Sequence, residues 1–126
     1  MSNERIKTIE KAFDDIENIN SSSSVGIINA IESTIEDVDK GKIRVAEKIN
    51  GEWTINRWIK KSILLYFRIN DMKLISGSSG NTYWWDKIES KFHQWDKKQF
   101  IEAGFRAVPG SIVRKGSYVA KGSVFA

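Results

Sequence analysis

The sequence contains no cysteine, one proline and one histidine in 126 residues. Without cysteine, the chain has no disulfide framework, no thiolate nucleophile and no cysteine-based metal site. His93 has no second histidine or cysteine at a metal-ligand spacing, and no recognisable Ser-His-Asp arrangement accompanies it. We therefore expect no metal ion, and we interpret His93 as a surface residue.

Long hydrophobic runs are also lacking. The longest apolar stretch, residues 63–67, is far too short to span a bilayer. The first residues are charged where a secretion signal would be apolar. These features predict a cytoplasmic protein that is neither secreted nor embedded in a membrane, and a hydrophobic content of 40% is enough for a real core.

Positive charge is scarce at the start of the chain and abundant after it. Residues 1–40 contain four Lys or Arg and nine Asp or Glu, whereas residues 41–126 contain sixteen and seven. The second part should therefore attract anions, such as nucleic acid, small carboxylates or phosphorylated cofactors. An ordinary solvated surface rich in lysine would explain the same charge.

Local patterns predict four helices and a hairpin. Apolar residues recur every three or four positions, which indicates amphipathic helices near residues 4–19, 24–39, 57–68 and 97–103. Asn50-Gly51 lies between two alternating runs and predicts a β-hairpin. Residues 72–75 are a candidate strand. Residues 77–81 resemble a phosphate-binding loop only superficially, because the Lys-Ser/Thr of a P-loop is missing, and we interpret them as a flexible loop.

An aromatic stretch with interleaved lysines follows this loop. Two interpretations are open: a stacking surface for single-stranded nucleic acid, or an aromatic core whose lysines extend to solvent. The second is the more common arrangement, and we favour it. The aromatic residues concerned are Tyr83, Trp84, Trp85, Phe92, Trp95 and Phe100.

The last sixteen residues, 111–126, repeat with a period of six, from Ser-Ile-Val-Arg-Lys-Gly to Ser-Tyr-Val-Ala-Lys-Gly to Ser-Val-Phe-Ala. A helix does not keep such positions on one face, whereas a triangular β-helix takes one hexapeptide per side. We expect Val113, Val119 and Phe125 to point inward, with each Lys-Gly forming a turn that needs a positive φ. A short hairpin or a frayed tail is the alternative.

Arg106 lies where the helical part meets this repeat, in Gly-Phe-Arg-Ala-Val-Pro at residues 104–109. A guanidinium group can hold a carboxylate through two parallel hydrogen bonds. Arg106 is therefore a candidate binding residue for a carboxylate. A structural salt bridge is the alternative role.

Several segments together resemble the N-terminal part of the tetrahydrodipicolinate N-succinyltransferase family. They are Gly-Lys-Ile-Arg-Val-Ala-Glu-Lys-Ile-Asn-Gly-Glu-Trp at residues 41–53, the Trp-Ile-Lys-Lys segment at residues 58–71, Asp86-Lys87 with Lys91-Phe92, and residues 104–109 before the hexapeptides. The resemblance implies an α+β fold. A helical domain with a hairpin would occupy residues 1–109, and the first rungs of a left-handed parallel β-helix would occupy residues 110–126.

The resemblance also implies a function. Such enzymes transfer a succinyl group from succinyl-CoA to the amino group of ring-opened tetrahydrodipicolinate, in lysine and diaminopimelate synthesis, and they are homotrimers. Arg106 matches the family arginine that binds the carboxylate of this dicarboxylate substrate. Family members usually have a second proline where this chain has Gly110, a change that we expect to loosen the start of the first coil.

The family continues through many more hexapeptides, which carry the CoA site and most trimer contacts. We therefore expect a truncated N-terminal portion that binds no cofactor and is inactive alone. The alternative is a basic, aromatic, non-catalytic module that binds nucleic acid or a partner protein. Of these ligands, nucleic acid is not favoured.

Overall fold

The structure is a computed structural model that describes residues 2–76 and 83–125. The chain forms two compact units that divide between Asp71 and Met72. Helices and small sheets occur together, so the predicted α+β class is confirmed. The loop predicted at residues 77–81 lies outside the described residues. The boundary predicted between residues 109 and 110 concerns where a β-helix begins, and it stays a prediction.

The first unit contains three helices and one hairpin: α1 (Asn3–Asp14), α2 (Val25–Asp39), β1 (Ala46–Ile49), β2 (Glu52–Ile55) and α3 (Arg57–Ile69). The prediction of one helix over residues 4–19 is wrong at its end, because α1 stops at Asp14 and a 3-10 turn follows at Ile16–Asn18. The Asn18 side chain donates to the Asp15 carboxylate at 2.6 Å. Such local side-chain hydrogen bonds compete with a continuous helix.

The core of the first unit lies between its three helices. Ile9 of α1, Ile31 of α2, and Ile59 and Leu65 of α3 are completely buried. On α3 the buried positions recur every three or four residues, as an amphipathic helix requires. Burying each such side chain stabilises the folded unit by about 1.5–3 kcal/mol compared with leaving it exposed to water.

The hairpin turns where the sequence predicts. Ile49 pairs with Glu52, which leaves Asn50 and Gly51 as a two-residue loop. Both loop residues have positive φ, 51° and 82°. This is the backbone of the primed turns that match the twist of a hairpin, and Asn-Gly adopts it readily.

The second unit contains two antiparallel strands, a short helix and a pair of parallel strands: β3 (Lys73–Ser76), β4 (Tyr83–Asp86), α4 (Lys97–Ala103), β5 (Arg106–Ala107) and β6 (Val124–Phe125). Asp96 caps α4 in a capping box with Gln99, and Gly104 ends the helix in the left-handed conformation. These two residues bound α4 at Lys97–Ala103, which agrees with the helix predicted near residues 97–103.

Turns in the second half of this unit recur every six residues. Backbone N–H groups of Ser111, Ser117 and Ser123 each donate to the carbonyl oxygen three residues earlier, at 2.9–3.2 Å. The glycine before each serine has a positive φ; these glycines are Gly110, Gly116 and Gly122. The sequence predicts the positive φ for the two Lys-Gly pairs, which contain Gly116 and Gly122. Gly110 forms the same turn as the other two, and the loosening expected at this position stays a prediction.

The two parallel strands are joined by one circuit of this six-residue pattern. Arg106 pairs with Val124 and Ala107 pairs with Phe125, so the partners are 18 residues apart in the sequence. Val113 is buried, and Val119 and Phe125 are half-buried. The residues before them are more exposed, which agrees with the predicted inward and outward alternation; they are Ile112, Tyr118 and Val124.

Candidate functional site

Arg106 is held from one side by its neighbour Phe105. Phe105 is only 7% exposed, and its ring centroid lies 5.9–6.4 Å from four other aromatic rings, those of Phe92, Trp95, Phe100 and Phe125. Because side chains alternate along an extended strand, a buried Phe105 places Arg106 on the opposite side, where it is exposed. The aromatic cluster therefore directs Arg106 toward solvent.

Strand β6 holds Arg106 through the backbone. The Arg106 N–H donates to the carbonyl oxygen of Ser123 at 2.9 Å, and the Val108 N–H donates to that of Phe125 at 3.0 Å. These two hydrogen bonds and the buried Phe105 restrain the backbone on both sides of Arg106. The backbone position from which the Arg106 side chain extends is thus set by the fold.

The guanidinium group of Arg106 has no hydrogen-bond or ion-pair partner within residues 2–76 and 83–125. Arg114 differs, because its NH2 group lies 2.9 Å from the Asp86 carboxylate. A structural salt bridge, the alternative role considered for Arg106, is therefore not seen in this part of the chain. No side chain among the described residues occupies the donors that a carboxylate would use.

Asp86 and Arg114 form a separate charged contact. The hydrogen bond from the backbone N–H of Lys87 lowers the pKa of Asp86 below its ordinary value; desolvation opposes this effect, and the Arg114 charge, a weaker influence than either, lowers the pKa further. Asp86 is therefore ionised at neutral pH and paired with Arg114. This contact joins the segment after β4 to the hexapeptide region, and the backbone bond from Lys91 N–H to the Val113 carbonyl at 2.8 Å reinforces it.

Comparison with known proteins identifies the family. The family model described as tetrahydrodipicolinate N-succinyltransferase N-terminal matches residues 5–69. The chain belongs to this family. Among curated relatives, the 2,3,4,5-tetrahydropyridine-2,6-dicarboxylate N-succinyltransferase of Rhizobium etli is 48% identical over 119 residues, which are 94% of this chain and 42% of the relative. The enzyme of the same name from Bartonella tribocorum is 50% identical over 113 residues, 89% of this chain and 40% of the relative.

The chain therefore spans about two fifths of the length of these succinyltransferase relatives. The match to the Rhizobium etli protein covers 119 of 126 residues, so it includes Arg106 wherever it starts. The family model itself ends at residue 69. The relationship thus extends beyond the helical unit into the unit that contains Arg106.

In this chain, the aromatic stretch divides into two parts. Phe92, Trp95 and Phe100 pack around Phe105, which agrees with the predicted aromatic core. For the three residues of β4 the prediction is wrong, because Tyr83, Trp84 and Trp85 are exposed, the last by 65%. They lie on the two-stranded ribbon of β3 and β4. In this ribbon Ile75 is buried, Asp86 is partly buried and the other side chains are exposed.

His93 also differs from its interpretation as a surface residue. Its side chain is half-buried, and Nε2 lies 3.6 Å from the Glu89 carboxylate, which Lys73 approaches to the same distance. Over the described ranges no group of three His, Cys, Asp or Glu side chains is arranged to hold a metal ion. Nor does any helix there have the length and apolar character needed to cross a membrane.

Sequence reasoning did not single out Val124, which the structure brings next to Arg106. The alternation within each hexapeptide was the available signal, because residues preceding the inward positions must face outward. That signal identifies Val124 as exposed. Its position beside Arg106 follows only from the 18-residue offset of the parallel strands.

Proposed function

We propose that this chain provides the N-terminal part of an enzyme that transfers succinyl from succinyl-CoA to the amino group of ring-opened tetrahydrodipicolinate, and that Arg106 binds a substrate carboxylate. The observation that carries the proposal is the exposed guanidinium of Arg106, which has no partner among residues 2–76 and 83–125, on a restrained strand in a chain of this family. A dicarboxylate substrate needs a fixed cation with paired donors, and arginine supplies both.

We also propose that residues 110–126 begin a left-handed β-helix after a domain of residues 1–109. Two observations support this. Turns recur every six residues, and parallel partners are 18 residues apart, which is the length of three six-residue sides. Stacked coils of a triangular β-helix have this offset, because after three six-residue sides the chain lies directly next to the strand with which that coil began.

In the reaction, the substrate amine attacks the thioester carbonyl, an N–C bond forms, the C–S bond breaks, and CoA leaves as its thiol. We assign no step of this transfer to the described residues. Their proposed role is to bind and orient the acceptor, with succinyl-CoA bound elsewhere in a complete enzyme. We further propose that this enzyme is a cytoplasmic homotrimer and that the 126-residue chain has no activity alone.

A chimeric enzyme tests the role of Arg106. The chain replaces the matching segment of the Rhizobium etli enzyme, and thiol release from succinyl-CoA is followed with and without Arg106→Lys. We expect kcat/KM for the acceptor to fall at least tenfold, about 1.4 kcal/mol, because an ammonium group cannot reproduce the paired donors. The melting temperature should change little.

The matched control is Arg57→Lys, since Arg57 is also exposed but lies at the start of α3. It should leave both kinetic constants unchanged. Normal kinetics in the Arg106→Lys chimera would show that Arg106 does not bind substrate. Unfolding of that variant would show that the arginine is structural.

The exposed aromatic residues of β4 support the second candidate, a non-catalytic module for single-stranded nucleic acid. Tryptophan fluorescence of the 126-residue chain, titrated with oligothymidylate at two salt concentrations, separates the candidates. Saturable binding that weakens steeply with salt would favour the module. We expect no such binding.

A further inference from the structure

Val124 lies directly beside Arg106 on the neighbouring parallel strand. Paired residues in neighbouring strands project from the same face and are about 4.8 Å apart across the ladder. Both residues are exposed, Val124 by 53%. The surface thus presents an apolar side chain and a guanidinium group side by side.

A single exposed valine has no meaning by itself, because much of any protein surface is apolar. Here, however, its neighbour is an arginine without a partner among the residues that the structure describes. A cation next to an apolar surface complements one kind of small molecule in particular, a carboxylate attached to an alkyl chain. An inorganic anion or a short acid would use only the arginine.

The spacing of the two side chains is fixed by the fold. Arg106 and Val108 donate backbone hydrogen bonds to Ser123 and Phe125, on either side of Val124. On the inner face, the rings of Phe105 and Phe125 lie 6.0 Å apart. Backbone hydrogen bonds and the packing of these two rings therefore both restrain the strands that carry Arg106 and Val124. The two residues are neighbours before any ligand binds.

We propose that Val124 is a specificity-determining residue that contacts the alkyl chain of the substrate whose carboxylate Arg106 binds. This inference rests on the proposed function, and it adds that the site selects linear dicarboxylates by chain length. Each methylene placed against Val124 leaves water, so affinity should rise by about twofold for each added methylene, since full burial of one would give about fourfold.

The experiment is an NMR titration of the 126-residue chain with acetate, succinate and pimelate, following the Arg106 Nε–H and Val124 methyl signals. We expect pimelate, with three more methylenes than succinate, to bind about five- to tenfold more tightly. Val124→Thr keeps the shape and strand preference of the side chain but makes it polar. In this variant the preference should fall below twofold while acetate binding is unchanged.

Arg106→Gln should abolish binding of all three acids. Ile112→Thr is the matched control, because Ile112 is an outward residue of the same coil, 83% exposed, and has no arginine paired with it. It should leave the chain-length preference intact. Val124→Ala, checked by its amide spectrum, repeats the measurement if the threonine variant does not fold, and it too should reduce the preference.

The outcomes separate the two claims. If binding depends on Arg106 but Val124→Thr keeps the full preference for pimelate, or Ile112→Thr loses it equally, the inference about Val124 is wrong and the role of Arg106 stands. If no acid binds in a manner that depends on Arg106, the carboxylate role of Arg106 fails, and the inference fails with it.

Discussion

The two compact units keep their shape in different ways. Up to Asp71, four aliphatic side chains of three helices are completely buried: Ile9, Ile31, Ile59 and Leu65. After Met72, the buried apolar residues in the described ranges each keep some exposure: Ile75, Ile88, Phe105 and Val113. This unit depends more on regularly spaced turns, backbone pairing and clustered rings.

The difference shows how one chain separates stability from binding. The three helices of the first unit bury a shared apolar core. In the second unit, a two-stranded parallel pair has a face that nothing in the described part of the chain covers, and Arg106 and Val124 lie on it. A thinly packed element can thus present functional side chains while a well-packed one supplies stability.

Deleting a core side chain tests this comparison most strongly. Ile59→Ala should destabilise the first unit by about 2–5 kcal/mol, because it leaves a cavity at a completely buried position. Val113→Ala removes less volume at a position that is not fully enclosed, so its cost should be about half as large or less. Urea unfolding followed by circular dichroism measures both, and equal costs would contradict the distinction between the units.

Amide hydrogen exchange sharpens the comparison residue by residue. We expect residues 111–125 to exchange about 100-fold faster or more than α3 and the β1–β2 hairpin, because in the described ranges only the two residue pairs of β5 and β6 and a few turn bonds restrain this segment. Mass spectrometry of the exchanging chain resolves these segments. Strong protection of residues 111–125 in a verified monomer would show that the coil is stable by itself.

Two glycine substitutions should change the free energy of unfolding in opposite directions. Gly122 has φ of 86°, so Gly122→Ala forces a side chain into the left-handed region and should cost about 1–2 kcal/mol. Gly26 lies in α2 with open space around its Cα, so Gly26→Ala should stabilise by about 0.4–1 kcal/mol. Thermal melting of both variants gives the comparison, and a shift of the same sign in each would refute it.

The smallest change in stability among these predictions should come from removing the charge of the Asp86 carboxylate. Because its pKa is lowered in the folded chain, its contribution is present above the ordinary carboxyl pKa and is lost as pH falls through the lowered value. Asp86→Asn should therefore lower the melting temperature slightly at pH 7, and this effect should shrink as the pH falls below the ordinary carboxyl pKa. Glu102→Gln, an exposed carboxylate on α4, is the control; an Asp86→Asn effect that does not depend on pH would exclude the electrostatic cause.

Local signals explain what could be predicted. The hairpin at Asn50-Gly51 and the short helix near residues 97–103 are confirmed, because each depends on backbone preferences of a few adjacent residues. The aromatic prediction failed at Tyr83 and Trp85 for the opposite reason. Hydrophobicity shows that a residue favours burial, but whether another element covers it is decided by residues distant in the sequence.

The sequence by itself determined the family, the order of helices and strands, the six-residue period and the candidacy of Arg106. Only the tertiary structure decided that Arg106 is unpaired among the described residues and lies beside Val124. The physical reason is the sequence distance over which each interaction acts. Helical periodicity and turn preferences act over a few residues, whereas this parallel pair forms only because the chain returns to the same edge after an offset of 18 residues.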